Sequence, residues 1–407
     1  MIRLFKENSS LLIYGILLTF FSGFGQTFFI SLFVPSFVSS FGLTNAAFGS
    51  VYAVITIASA FALIYLGKLV DQWKIQKFTL FVIGLLFISI LVTSFSFHPA
   101  IFFFGLWGMR LAGQGLMPHA SVSYISRSFE KDRGKALSIS TLGHPLGEAM
   151  LPLMMLVLLD LYEWRISLAI GAGVFACLLL PYVFLINFQD RSPGVHNPLP
   201  QKQWRQIDVL KSRDFYNIVP GIFIPTFLTT SLFLYQASLA DEKGWSMQWM
   251  AFCFTGFAIA RIIALLFSGS LTDKFGARNL FPFYLLPFML GLLILLLSRE
   301  DWAAYMYMAL TGFTIGIGST IKSALQADVF GVSSIGAVRS LFTMVMVIST
   351  ALGPPVVGGL LDVGYTFNEL IIGSLFILVL VSWWSFRVNS GSFSMYRNMV
   401  LHEFRKW

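Results

Sequence analysis

Hydrophobic residues fall along this chain in twelve long blocks separated by short polar runs: 11–37, 47–67, 78–97, 100–126, 135–159, 165–187, 215–240, 247–270, 280–298, 302–325, 337–361 and 369–387. A helix needs roughly 20 apolar residues to cross a bilayer. The pattern predicts twelve transmembrane helices, numbered 1–12 in chain order, and an all-α polytopic membrane protein. The first block is longer than the apolar core of a cleavable signal and reads as a spanning helix.

Composition agrees. Of 407 residues, 57% are hydrophobic and 11% charged, where a soluble protein carries about 25% charged residues. Too little polar surface exists to face water on every side. The net charge of +8 would suit a nucleic-acid partner, but its distribution excludes that reading. Lys and Arg gather on one side of the predicted membrane, in the loops holding Lys68, Lys74 and Lys77, Arg127 to Lys135, Arg191 to Arg213, and Lys274 with Arg278. The other side holds Arg165, Lys243 and Arg299. This is the positive-inside pattern. It puts both termini in the cytoplasm, which requires an even helix count. Short loops suggest a bacterial cytoplasmic (inner) membrane and a monomer. Cys177 and Cys253 fall inside helices 6 and 8 and are expected to be buried free thiols. They supply neither a disulfide framework nor a metal site, and no cofactor is expected.

The helices form two halves, 1–188 and 215–407, joined by a polar cytoplasmic linker, 189–214, in which "WRQIDVL" has the spacing of a short interfacial helix. A repeat links the halves. "GKLVDQWKIQK" (67–77) follows helix 2 and "GSLTDKFGARN" (269–279) follows helix 8, both reading G-x-L-x-D with basic residues after it. Helix 5 contains "GHPLGEAMLP" (143–152) and helix 11 contains "GPPVVGGLLD" (353–362), at an offset of 210. Gly143 matches Gly353, Pro145 matches Pro355, and Glu148 falls where the second half has Gly358.

On these residues the chain resembles the major facilitator superfamily across essentially its whole length. The family's loop between helices 2 and 3 reads roughly G-x-x-x-D-R-x-G-R-R. Here the first copy keeps Gly67 and Asp71 with Gln72 and Ile75 as departures, and the second keeps Gly269, Asp273, Lys274, Gly276 and Arg278. "MRLAGQG" (109–115) in helix 4 is similar to the family's R-x-x-x-Q-G element, through Arg110, Gln114 and Gly115. The resemblance implies two pseudo-symmetric six-helix bundles and alternating access about a central cavity. It also implies that the loop aspartates close a cytoplasmic gate. The expected partners are Arg339 for Asp71, and Arg127 or Arg133 for Asp273. Plain positive-inside anchoring is the competing reading.

Counted at 1.5 Å per residue, Arg110 lies roughly 15 Å into helix 4, Glu148 roughly 20 Å into helix 5 and Arg261 roughly 21 Å into helix 8. Charges at such depth face a cavity or a partner. Arg110 and Glu148 sit on consecutive helices at similar depth. They suggest either a static salt bridge or a proton site on Glu148 tuned by Arg110, since desolvation and a nearby cation act on a carboxyl in opposite senses. His144 shares a helix face with Glu148. It suits a proton relay, or a hydrogen bond to a carbonyl loosened by Pro145. His119 is nine residues from Arg110, so a regular helix would put the two on opposite faces. Lys322 lies near the cytoplasmic end of helix 10, where its stem can snorkel to the interface.

Two arginines against one glutamate favour an anionic cargo. Arg261 is a natural carboxylate ligand, and monocarboxylate and oxalate–formate-type porters of the superfamily are similar in using a helix-8 arginine. Gln26, Gln114 and Thr229 are neutral candidates beside Arg110 and Arg261. The expectation is a proton-coupled carrier importing a small carboxylate or amino-acid-like anion. The alternative is a proton-coupled exporter of drugs or a metabolite. An enzyme is not expected, because no metal cluster, nucleophile–base pair or phosphate loop is present.

Overall fold

The computed structural model describes residues 7–129, 132–186, 188, 206–331 and 335–388. Each of the twelve expected blocks is helical, and no strand occurs among the described residues. Eight helices are long and apolar enough to span a bilayer, or nine when helix 1, bent by 48° between Ser9–Gly25 and Thr27–Phe41, is taken as one. The remaining three have local reasons for falling short. Helix 4 is split into Pro99–Met109 and Met117–Ser128 by a π segment, Arg110–Leu116. The apolar run of helix 9, Leu286–Leu297, has only 12 residues. Helix 10, Asp301–Phe330, is diluted by glycine and threonine.

Large apolar side chains stay exposed, among them Phe61 at 63%, Leu185 at 84% and Phe376 at 66%. In water such a surface would be unstable; against acyl chains it is the expected one. Phenylalanine also fills the interior: Phe29, Phe33, Phe37 and Phe102 are buried and meet in a chain of ring contacts. Cys253 is buried and outside any disulfide, as expected, but Cys177 is exposed. Helix 6 turns that position outward, and a thiol is apolar enough to face lipid. In the linker, Gln206–Leu210 is helical, and most of the remainder lies outside the described residues.

The chain divides into two compact units. The first gathers the chain up to Asn197 with Leu232–Ala258 and Pro354–Gly364; the second gathers Pro198–Ser231, Ile259–Gly353 and the chain from Tyr365. Helices 7, 8 and 11 therefore each contribute to both. Within the first unit, Asp362 at the end of helix 11 caps the start of helix 2, accepting from the backbone amides of Asn45 (3.1 Å) and Ala46 (2.7 Å) and from Asn45 Nδ2 (3.1 Å). Thr44 accepts from Ala47 N at the same end. These bonds satisfy amides that no helical carbonyl can reach. Asp362→Ala is expected to cost about 1 kcal/mol, the usual value for a helix cap at a solvated site. A thermal unfolding scan checks it, with Asp362→Asn retaining part of the loss.

Candidate functional site

Arg110 is the largest fully buried side chain, at 1% exposure. Its position follows from two irregularities that meet. Helix 1 carries Gly23 and Gly25 and breaks at Gln26, whose backbone is extended (φ −86°, ψ 154°). The break frees the Gly25 carbonyl, and Arg110 Nη1 donates to it at 3.2 Å. Nη1 also reaches Thr27 Oγ1 at 3.3 Å, and Nη2 reaches Thr56 Oγ1 at 3.2 Å. The guanidinium lies over the Tyr52 ring, 4.6 Å from its centroid. A Cβ on Gly25 would sit 2.6 Å from Gln114 N and 2.8 Å from Gly113 Cα, so the broken and the widened helices touch backbone to backbone. Gln26 and Gln114, half-buried, flank this junction.

The expected pairing of Arg110 with Glu148 is not formed. Among the described residues Arg110 makes no ion pair, and its Nε has no hydrogen-bond partner. The π segment aims Arg110 at helices 1 and 2 instead of helix 5. It also corrects the expectation for His119, whose Nε2 lies 3.0 Å from the Gly67 carbonyl. A π segment takes more residues per turn than an α-helix. Arg110 and His119 consequently both face helix 2, at Thr56 and at Gly67.

Helix 5 is interrupted at Thr141–Leu142, between Arg133–Ser140 and Gly143–Leu161. Pro145 explains the place: it has no N–H to give the Thr141 carbonyl. Gly143 and Gly147 then press on helix 1, at Ile16 O and at Phe20 O. His144 Nδ1 lies 3.3 Å from Ser22 Oγ. The matching glycine in the second unit, Gly353, presses on helix 7 at Phe227 O. The duplicated motif thus packs each half's fifth helix on its first. The breaks repeat too. Helix 7 is interrupted at Tyr235, between Arg213–Leu234 and Gln236–Lys243. Gln236 stands where helix 1 has Gln26, at the same 210-residue offset. Gln236 is 1% exposed and donates to Ser31 Oγ at 2.8 Å. The shared offset was the signal for it.

In the helix 2–3 loop Asp71 pairs with Arg127. Arg127 also donates to Val70 O at 3.1 Å, and Arg339 donates to Ser323 Oγ. Helix 4 ends beside the helix 2–3 loop in the same unit, so Arg127 reaches Asp71 with little chain to order. Asp273, in the second unit, is exposed. The side chain of Arg133 lies outside the described residues. In the second loop Arg278 donates to Asp328 O at 3.2 Å, at the end of helix 10. Gly276 has φ +80°, a conformation only glycine adopts without strain. Close approach explains Gly67, which faces His119, but not Gly269, which faces open space.

The second unit holds a partly open cavity of about 200 Å³, whose walls include Thr226, Thr229, Tyr284, Thr311, Thr314 and Lys322. Arg261 is half-buried on helix 8, Met247–Phe275, with its carbonyl against Gly316 of helix 10. The cavity walls do not include it; Lys322 is the cation there.

Comparison with known proteins agrees with this architecture. A bacterial homologue of the human lysosomal transporter Spinster, solved inward-facing and unoccupied, superposes with a TM-score of 0.73 at 15% identity, covering 93% of this chain and 96% of that one. The nucleoside transporter NupG gives 0.70 at 14% identity, covering 95% and 98%. At these identities the likeness concerns the fold. An "MFS-type transporter" of Gibberella moniliformis is 26% identical over 263 residues, spanning 61% of this chain and 60% of that protein. The family model described as Major Facilitator Superfamily matches residues 15–254 and 219–392. The chain belongs to the Major Facilitator Superfamily and is a membrane transporter, not an enzyme.

Proposed function

We propose that the protein is a proton-coupled importer of a small organic anion, working by alternating access in a cytoplasmic membrane with both termini inside. The observation that carries this reading is Arg110: a buried guanidinium with no carboxylate bonded to it and its Nε–H unused. A desolvated cation favours an anion from any source, and a planar fork suits a carboxylate. Arg261 supplies a second cation at depth, and Gln26, Gln114 and Thr229 supply neutral contacts. Glu148 is the proton site, with His144 one turn away as its relay. Helices 7, 8 and 11 each contribute to both compact units, and Pro354 and Pro355 lie inside the continuous helix 11 at one such division. Prolines inside a helix free carbonyls and weaken it there. The moving bodies are the halves 1–188 and 215–407. The gate around Asp71 and Asp273 opens and closes with them.

The test uses proteoliposomes and a set of radiolabelled monocarboxylates. Glu148→Gln should abolish accumulation driven by an inward proton gradient while leaving exchange of internal for external substrate intact. Gradient-driven accumulation at the wild-type rate would reject Glu148 as the proton site. Absence of uptake of any organic anion by the wild type would reject the import reading.

A further inference from the structure

The cavity in the second unit has a feature that the sequence reading missed. Lys322 does not snorkel to the cytoplasmic end of helix 10. Helical side chains lean toward the helix N-terminus, which for helix 10 is the opposite direction. Gly318, one turn earlier, leaves the space: a Cβ there would lie 3.6 Å from Lys322 Cε and 2.8 Å from the Tyr284 ring. The stem therefore runs along helix 10 past Gly318, toward Thr314 and Thr311, and the ammonium sits 5.9 Å from the Tyr284 ring centroid. Among the described residues no carboxylate pairs with it. A half-buried ammonium aimed into a partly open cavity, with no carboxylate beside it, attracts one negative charge.

The rest of the lining defines what carries that charge. Thr226, Thr229, Thr311 and Thr314 each donate their hydroxyl hydrogen to a carbonyl one turn back on their own helix, at 2.7 to 2.9 Å. Tyr284 likewise donates to Gly221 O. These hydroxyl oxygens offer the cavity only lone pairs, while the Thr230 hydroxyl, also in the wall, remains able to donate. A ligand that brings donors of its own as well as an anionic group satisfies them. Phe288 and Met346 supply apolar wall. One cation accommodates one charge, and about 200 Å³ accommodates a compact molecule.

We propose that this cavity binds a small hydroxylated monocarboxylate, its carboxylate on Lys322 and its hydroxyls donating to the threonine oxygens. The inference deepens the transport reading by naming a substrate class, and it rests on that reading only in taking the bound acid to be cargo. The test is thermal unfolding of the purified full-length protein in lipid nanodiscs, with glycerate, lactate, acetate, glycerol or chloride at matched ionic strength. Glycerate and lactate should raise the midpoint more than acetate does, and glycerol and chloride should not raise it. Lys322→Gln should weaken the apparent affinity for glycerate about 10- to 100-fold, as expected for loss of a hydrogen bond to a charged group. Lys322→Arg should keep part of it. Thr314→Val, which leaves the charge in place, should erase the preference for glycerate over acetate and serves if Lys322→Gln fails to fold. Equal stabilisation of wild type and Lys322→Gln, no response to either hydroxy acid, or an equal response to chloride would overturn the proposal. Glycerate uptake unchanged by Lys322→Gln would overturn the cavity's role while leaving the transporter reading intact; binding at Lys322 without uptake would do the reverse.

Discussion

Arg110→Lys should lower the stability of the protein by about 2–4 kcal/mol and abolish transport of its anion. The guanidinium reaches three acceptors in different directions while lying flat on Tyr52. A lysine ammonium is a point donor on a flexible stem and cannot occupy that plane. Each hydrogen bond to a charged group contributes about 1.5–3 kcal/mol, and a buried acceptor left without a donor costs about 1–3 kcal/mol. The Gly25 carbonyl is the group most exposed to that loss, because the helix break has already removed its backbone partner. A ΔΔG near zero by denaturant or thermal unfolding would show that the break is held by packing alone. A destabilised variant that still transports at the wild-type rate would confine Arg110 to architecture and remove the observation on which the anion reading stands.

How much of this was legible in the sequence differs element by element. The twelve helices were, because the bilayer forces each span to be predominantly apolar, and that leaves a long signal that short polar loops do not imitate. The depth of Arg110 was legible from counting; its direction was not. Counting by 100° per residue assumes a regular α-helix, and the π segment Arg110–Leu116 departs from one. That departure arises where Gly113 meets Gly25 across helices, a contact no local pattern announces. Lys322 failed for a related reason. Its position near a helix end suggested an exit to water, but the stem direction is set by the helix polarity and by the space at Gly318. The Asp71–Arg127 pair was not foreseen, because the family likeness pointed to helix 11, while Arg127 lies at the adjacent end of helix 4. By contrast, the glycines of "GHPLGEA" and "GPPVVGG" could be paired by offset alone, and their common role follows from that pairing.

Gly143→Val and Gly353→Val should each destabilise the protein by about 2–4 kcal/mol, at or above the upper end of the cost of overpacking, with Gly359→Ala as the control. A Cβ on Gly143 would press on Ile16 O, Thr19 Oγ1 and Phe20 N of helix 1; one on Gly353 would meet Phe227 O at 2.6 Å and press on Ser231 Oγ of helix 7. A backbone carbonyl cannot rotate aside as a flexible side chain can, so the helices must separate. Separation loses the close contact that small residues make possible between helices in a membrane, where apolar burial adds little to association. Gly359 has nothing within 4 Å of an added Cβ, and substitution there should stay within about 0.5 kcal/mol of wild type. The two valine variants should behave alike because the contacts are copies: fifth helix on first in each half. If Gly143→Val is severe and Gly353→Val is mild, the halves do not share this contact equally. The tighter one would then be the fixed junction, and the other the place where helix 11 moves during transport.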